Sequence, residues 1–315
     1  MKTFWVKLIG FALVVVAVFS GLTALKYRFS HLLSPSNSGI SGVIKEKRID
    51  YLFLGSSHTR QSYDIDLFQK RTGKSAFIVA YNGLSPFMID AIVRFLEESH
   101  KIEVGTYVLE AFVYSTIKAP AVEDTRLFCD SPPELKAILL RLLSEKVPSF
   151  DWRRRYELLV LANNENILTY PVNRAVLART SYRGAYINKV VRGLNPEEFE
   201  QLKSPMQGKA DPSLNSRQVR SLQSLFEYIK TRGLRVVFIE SPLPKPIGDT
   251  PFISLNKQRL SRLIKGAGFV YLDGDTDFEV GNPDYFADDN HLSTKGRALF
   301  TEKVIDFLKR RREPH

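Results

Sequence analysis

The hydrophobic and polar positions along most of the chain alternate between short apolar runs and amphipathic stretches. The apolar runs predict strands over 49–55, 75–82, 105–114, 234–241 and 268–274. Spacing typical of helices covers 63–72, 86–100, 216–232, 253–265 and 294–311. Strands that alternate with helices form a parallel sheet covered on both faces. The pattern therefore predicts an α/β fold, a three-layer α/β/α domain with about five parallel strands, over 49–114 and 216–315.

The interval 115–215 interrupts this alternation. About a hundred residues are too many for a connection between strands, so they predict an inserted, mostly helical cap, with helices over 132–146 and 153–168. Tyr156, Tyr170, Arg153 and Arg174 are examples of its aromatic and basic side chains. Two interpretations stay open: a solvated basic face, or a surface for a sugar or an anionic polymer.

The N-terminus predicts a membrane anchor over 1–29. Residues 8–25 carry no charge and lie between Lys7 and Lys26, and as a helix they extend about 27 Å, enough for a hydrocarbon core. A cleaved signal peptide is the alternative, although its apolar stretch is usually shorter. The segment 30–48 is rich in Ser, Gly and Pro in its first half and predicts a flexible tether.

The net charge of +11 changes this picture little. Most of it flanks the apolar segment or follows Lys309, and the body between is nearly neutral, so nucleic acid is not the expected partner. A single cysteine, Cys129, excludes an intrachain disulfide and a cysteine-rich metal cage. No metal and no cofactor are predicted.

Candidate chemistry follows the first and last predicted strands, where ligands of open α/β sheets bind. Gly55, Ser56 and Ser57 follow the first strand, and Asp288 and His291 follow the last. A histidine with an acid three residues before it accepts a serine's proton while the acid fixes the tautomer. Ser57, Asp288 and His291 are thus a candidate triad.

Two alternatives to this triad remain. The serines also fit an ordinary helix N-cap. Asp289 is a second candidate for the acid, and only the three-residue spacing favours Asp288.

These residues resemble the conserved blocks of the SGNH/GDSL hydrolase superfamily. Gly55-Ser56-Ser57 resembles its first block and Asp288 with His291 its last, which implies a flavodoxin-like fold with Ser57 as nucleophile. The resemblance implies an oxyanion hole from the Ser57 amide with Asn82 or Gly83. It departs from the family at Pro86, where a glycine amide is expected. After the third strand Glu110-Ala111-Phe112 also lacks the third-block asparagine.

With its N-terminal anchor, the chain resembles the envelope branch of the superfamily, which includes polysaccharide O-acetyl transfer and teichoic-acid D-alanyl transfer proteins. The resemblance implies a single-pass membrane protein with a cytoplasmic N-terminus and a catalytic domain on the periplasmic or extracytoplasmic side. It implies an acyl-ester or glycan substrate and envelope polysaccharide assembly proteins as partners. The prediction is a serine esterase or O-acyltransferase. The alternative is a catalytically inactive envelope protein of this fold that binds a glycan or an assembly partner.

Overall fold

The computed structural model describes residues 2–33, 37–100, 102–116, 124, 126–146, 152, 175–176, 179, 181–186, 190–203 and 216–311. The strands are β1 Arg48–Gly55, β2 Ala76–Ala80, β3 Glu103–Glu110, β4 Ser181–Tyr182, β5 Ala185–Tyr186, β6 Val236–Ile239 and β7 Val270–Leu272. The α-helices are α1 Lys2–Leu33, α2 Gly39–Lys45, α3 Ser57–Ser62, α4 Ile65–Thr72, α5 Pro86–Phe95, α6 Val113–Thr116, α7 Arg126–Asp130, α8 Pro133–Lys146, α9 Pro196–Glu200, α10 Ser216–Arg232, α11 Lys245–Gly248, α12 Pro251–Gly266 and α13 Thr294–Arg310. A π-helical turn, Leu96–His100, follows α5, and a 3₁₀ turn, Pro283–Tyr285, follows β7.

Five strands form one parallel sheet in the order β2-β1-β3-β6-β7. Gly55 pairs with Ala80 and Glu110 pairs with Ile239, so these strands end at a common edge. The first strand lies between the second and the third, which is the flavodoxin-like order. The predicted α/β fold with five parallel strands is confirmed. Residues that follow β1, β2, β3 and β6 meet at this edge, the carboxyl edge of the sheet.

Helices cover both faces of the sheet. Leu52 is buried in one hydrophobic core and its neighbour Phe53 in the other, because successive strand residues face opposite sides. The first core includes residues of α5, α8 and α10, namely Ile89, Leu139 and Leu225. The second includes residues of α4 and α13, namely Phe68 and Phe300. The alternating pattern therefore places the sheet between two helical layers, as predicted.

The structure shifts the start of one predicted helix and the end of one predicted strand, each with a clear physical cause. The helix expected over 63–72 begins at Ile65, because Asp64 caps it by accepting a hydrogen bond from the Leu67 amide at 3.0 Å. The strand expected over 105–114 ends at Glu110, where the Tyr114 amide turns back to donate to the Ala111 carbonyl at 3.0 Å. The second change leaves Glu110 at the carboxyl end of β3.

Helix α1 contains the apolar segment. Within it, Thr3–Phe29 comprises 27 residues with a mean hydropathy of 2.5, long and apolar enough to cross a membrane. The expected flexible tether over 30–48 is wrong for residues 39–45, which form α2. Ile40 and Val43 of α2 are buried in the first core. Their spacing puts both on one helix face, which the Ser and Gly content obscures.

Polar contacts join the end of α1 to the body of the protein. Ser41 Oγ donates to the His31 carbonyl at 3.0 Å, and Lys136 Nζ donates to the Tyr27 carbonyl. Gly39 has a φ of +61°, and a Cβ there would lie 2.5 Å from Asp130 Oδ2. Gly39 thus permits close packing rather than flexibility. These contacts hold the C-terminal end of α1 against the domain.

The interval 115–215 differs from the expected separate cap in its described part. Leu135 of α8 belongs to the first core, and Phe199 of α9 belongs to the second. The turn between β4 and β5 covers edge strand β2, since the Ile78 amide donates to the Arg183 carbonyl at 2.8 Å. The predicted helix over 132–146 is present as α8. The helix predicted over 153–168 and most of the aromatic and basic face lie outside the described residues.

Candidate active site

The turn between β1 and α3 places Ser57 as the first residue of a helix at the carboxyl edge. Glu110, at the end of the adjacent strand β3, is 2% exposed and holds this turn. Its carboxylate accepts hydrogen bonds from the Ser56 amide at 2.6 Å and from the Ser56 hydroxyl at 2.7 Å. It also accepts from the Thr59 hydroxyl at 2.6 Å and the Thr59 amide at 3.3 Å. One carboxylate thereby fixes the residues on both sides of Ser57.

Gly55 is required by this close approach. A Cβ at Gly55 would lie 2.1 Å from Thr59 Oγ1 and 2.3 Å from Glu110 Oε2. Real side chains essentially never approach so closely, so any other residue would push the carboxylate out of the turn. The glycine of the Gly-x-Ser sequence therefore makes room for Glu110, which the sequence pattern alone did not identify.

The backbone amides around Ser57 differ in their hydrogen bonding. The Ser56 and Thr59 amides donate to Glu110, and the His58 amide donates to Ser56 Oγ at 3.3 Å. The Ser57 amide has no hydrogen-bond partner among the described residues. The first N–H groups of a helix have no partner within the helix. Here side chains at the turn accept from the neighbouring amides, whereas the Ser57 amide stays available to donate to an anion.

The loop after β7 carries the other two candidate residues. Phe286 and Leu292 form an isolated antiparallel bridge, and the Ala287 amide donates to the His291 carbonyl at 2.8 Å, which closes the loop. Asp288 Oδ1 accepts from the His291 amide at 2.8 Å and from the Asn290 amide at 2.9 Å. Two backbone amides of the loop therefore orient the Asp288 carboxylate independently of the His291 imidazole.

The structure brings the three predicted residues into one chain of hydrogen bonds. His291 Nδ1 lies 2.9 Å from Asp288 Oδ2, and His291 Nε2 lies 3.0 Å from Ser57 Oγ. Because a carboxylate only accepts, Nδ1 carries the proton and the Nε2 lone pair accepts from the Ser57 hydroxyl. The arrangement is that of a nucleophile, a base and an orienting acid.

The two adjacent carboxyl groups of the loop differ electrostatically. Burial acts to raise the pKa of Asp288, but the hydrogen bond and the charge of His291, together with two backbone amides, outweigh it and lower that pKa. Burial and the nearby Asp288 raise the pKa of Asp289. Asp288 is therefore the ionised partner of His291, as the spacing predicts.

The site is open rather than enclosed. The Asp288 side chain is 50% exposed and that of His291 is 15% exposed. A cavity of about 700 Å³ lies elsewhere, between α5, α8 and α10, and the triad residues do not line it. This rim is therefore open to solvent among the described residues.

The predicted oxyanion residues of the β2–α5 loop lie at the same edge of the sheet. The Asn82 amide donates to Asp124 Oδ2 at 3.0 Å, so it is already engaged. Gly83 adopts a φ of +60°, which favours glycine. Pro86 is the first residue of α5, a position that suits proline. The role of Asn82 and Gly83 in an oxyanion hole stays a prediction.

Glu240, directly after β6, belongs to a buried charged cluster at the same edge. Its side chain is fully buried, accepts a hydrogen bond from the Tyr271 hydroxyl, and lies 3.9 Å from Lys257 Nζ. Lys257 also pairs with Asp275, and Asp275 Oδ1 accepts from the Leu243 amide at 3.0 Å. The cluster ties the loop after β6 to the loop after β7 and holds the turn that follows β6.

The pH dependence of stability tests this cluster. Burial raises the pKa of Glu240 to about 7, although Lys257 and Tyr271 oppose it. The folded state then binds more protons than the unfolded state between the ordinary carboxyl pKa and about 7, so stability falls as pH rises through that window. We expect Glu240→Gln to remove this part of the slope, measured as the melting temperature from about pH 5 to about pH 8. Identical slopes in both proteins would contradict the raised pKa.

No group of three His, Cys, Asp or Glu side chains in the described part of the chain is placed to hold a metal ion.

Neither a protein-family model nor a curated protein matches the chain significantly. Similar solved structures include a proposed acylhydrolase from Bacteroides fragilis (14% identity, TM-score 0.39), covering 89% of this chain and 95% of the other. A lipase/acylhydrolase from Enterococcus faecalis shows 13% identity and a TM-score of 0.39, with coverage of 85% and 99%. A GDSL-like lipase from Bacteroides thetaiotaomicron shows 14% identity and a TM-score of 0.36, with coverage of 84% and 90%. At such low identities and scores, the likeness does not carry their chemistry over to this chain.

Proposed function

We propose that the chain is a membrane-anchored serine esterase or O-acyltransferase of the SGNH type. The observation that carries the proposal is the hydrogen-bond chain from Asp288 through His291 to Ser57, with 2.9 Å and 3.0 Å between the paired atoms. The hydroxyl, the imidazole and the carboxylate come from distant parts of the sequence, and the fold places them in the order that acyl transfer requires.

The first half of the proposed reaction is the acylation of Ser57. Ser57 Oγ attacks the ester carbonyl carbon while His291 Nε2 accepts the hydroxyl proton, and Asp288 stabilises the imidazolium that forms. The unpartnered Ser57 amide donates to the oxyanion. As the intermediate collapses, the ester C–O bond breaks and His291 returns the proton to the leaving alcohol, which leaves an acyl group on Ser57.

The second half differs only in the acceptor. His291 deprotonates either a water molecule or a sugar hydroxyl, whose oxygen attacks the acyl carbon. The bond between that carbon and Ser57 Oγ then breaks, and His291 returns the proton to Oγ. Water gives a free acid and makes the protein an esterase, whereas a sugar hydroxyl makes it a transferase. The open rim around Ser57 accommodates both. We propose an acyl ester of an envelope or exported glycan as substrate, on the strength of the sequence resemblance.

A fluorophosphonate probe tests the nucleophile. Such probes react with activated serines, so we expect labelling of the wild type and its loss in Ser57→Ala and His291→Ala. Ser293→Ala is a matched control, because Ser293 caps α13 and donates to the Asp284 carbonyl rather than to the triad. Labelling that persists in Ser57→Ala would contradict the assignment. An unlabelled wild type would favour the inactive, glycan-binding alternative.

Membrane placement rests on α1 and on the sequence resemblance. We expect the full-length protein to stay in the membrane fraction after alkaline carbonate washing. With the proposed topology, externally added protease should digest the body of the protein but spare an N-terminal tag. Release by carbonate, or protection of the body in intact cells whose outer layer is permeable to protease, would contradict this placement.

A further inference from the structure

His58, the residue after Ser57, is buried with one ring nitrogen unpaired in the described part of the chain. The residue is 5% exposed, and its Nδ1 has no hydrogen-bond partner among the described residues. A buried polar atom left unpaired destabilises a fold, so such atoms in native proteins need an explanation. Its position in the first turn of a helix, after two serines, also fits an exposed residue, but the structure buries it.

The imidazole of His58 lies beside the catalytic groups. Its ring packs on Phe112 with 4.4 Å between the centroids, and its centroid lies 5.4 Å from that of His291. Phe112 follows β3, where the SGNH resemblance calls for an asparagine that this chain lacks. The His58 ring therefore packs beside the segment after β3, where the sequence lacks the asparagine side chain that the resemblance implies.

The environment keeps this imidazole neutral. Burial is the main cause that lowers the pKa of His58 to about 4; Glu110 and Asp288 oppose this shift, and the charge of His291 contributes to it. At the pH where His291 acts as a base, His58 does not compete with it for the Ser57 proton. A neutral imidazole still offers one N–H as a hydrogen-bond donor.

We infer that His58 supplies the side-chain donor of the oxyanion hole, alongside the Ser57 amide. The inference rests on the proposed acyl transfer. In the tetrahedral intermediate the ester oxygen becomes an anion, and the ring nitrogen that carries the proton donates to it. Either ring nitrogen can carry this proton, because neutral imidazole has two tautomers. The His58 ring, which has an unpaired nitrogen in the free protein, then finds its hydrogen-bond partner in the oxyanion of the intermediate.

Three substitutions separate donation from packing. His58→Phe keeps a planar ring against Phe112 but has no donor, His58→Asn keeps a donor on a shorter side chain, and His58→Ala removes both. The readouts are kcat and KM for p-nitrophenyl acetate and the inhibition constant of phenylboronic acid, which forms a tetrahedral adduct with an activated serine. The melting temperature of each full-length variant shows whether it folds.

Loss of one oxyanion donor lowers kcat by about 10²- to 10³-fold. We expect His58→Phe to show this loss with KM changed less than about threefold, and the boronate inhibition constant to rise with the loss in kcat/KM. We expect His58→Asn to recover about tenfold or more relative to His58→Phe. If His58→Phe does not fold, the same difference is expected between His58→Asn and His58→Ala.

Several results would overturn the inference. A folded His58→Phe protein with wild-type kcat and boronate affinity would remove the donor role. Equal losses in the Phe and Asn variants, or in the Ala and Asn variants, would make the role one of shape alone. Fluorophosphonate labelling separates the two proposals: an unlabelled wild type overturns the acyl transfer and the His58 role together, whereas a labelled wild type with an unaffected His58→Phe overturns only the latter.

Discussion

Replacing Asp288 with Asn is expected to lower kcat by about 10⁴-fold, whereas replacing the adjacent Asp289 with Asn leaves kcat within a few-fold of wild type. Asp288 holds the His291 ring with Nδ1 protonated, at 2.9 Å from Oδ2. An Asn side chain presents its NH₂ to the ring equally well, which favours the tautomer with Nε2 protonated. That nitrogen then cannot accept the Ser57 proton. Initial rates with p-nitrophenyl acetate measure the effect.

Asp289 is a close control for this experiment. It belongs to the same loop, bears the same functional group, and makes no hydrogen bond to His291 in the described structure, while its own pKa is raised by burial and by Asp288. Asp288→Asn retains an oxygen that accepts from the Asn290 and His291 amides, so the loop should keep its shape. The assignment of the acid fails if Asp289→Asn is the slower variant, or if both variants retain wild-type rates.

The position of the triad followed from the sequence because both of its parts are local. Ser57 follows the first apolar run directly, and Asp288 lies three residues before His291 after the last one. In a parallel sheet these loops necessarily meet at the carboxyl edge. The alternation of strands and helices therefore predicted that the loops of Ser57 and His291 lie close together. The three-residue spacing before His291 favoured Asp288 over Asp289 as the acid.

The sequence did not reveal the roles of Glu110 and His58, and the reason is physical. Glu110 lies 54 residues from Ser56, and its function depends on the register that brings the end of β3 beside the end of β1. A single buried carboxylate in a strand has no periodic signature. His58 follows two serines at the start of a helix, a pattern that also fits an exposed cap, and only packing against Phe112 distinguishes the two.

The tether and the insertion were mispredicted for a related reason. Composition measures average hydrophobicity, whereas α2 needs only Ile40 and Val43 on one face to join the core. Similarly, the turn between β4 and β5 attaches to the sheet through backbone groups, as in the bond from the Ile78 amide to the Arg183 carbonyl. Backbone pairing of this kind is independent of residue type and leaves no pattern in the sequence.

Glu110→Ala is expected to lower the free energy of unfolding by about 3–5 kcal/mol and kcat by about 10²-fold. The hydroxyls of Ser56 and Thr59 can rotate to other acceptors, but their two backbone amides stay buried without a partner. Relaxation of the turn displaces Ser57 from His291, and misplacement of about 1 Å is enough for such a rate loss. Thermal unfolding of the full-length protein in detergent should show a melting temperature lower by about 10 °C.

Glu103→Ala provides the matched control on the same strand. Glu103 is exposed and pairs only loosely with the exposed Arg48, at 3.7 Å, so its removal should change the stability by less than about 1 kcal/mol. Glu110→Gln keeps one acceptor oxygen but turns an NH₂ toward the donors of the turn, and should fall between wild type and Glu110→Ala in both readouts. If Glu110→Ala has the same melting temperature and kcat as Glu103→Ala, the turn does not depend on Glu110 and is held by its own backbone. If stability falls but kcat does not, Glu110 supports the fold without positioning Ser57.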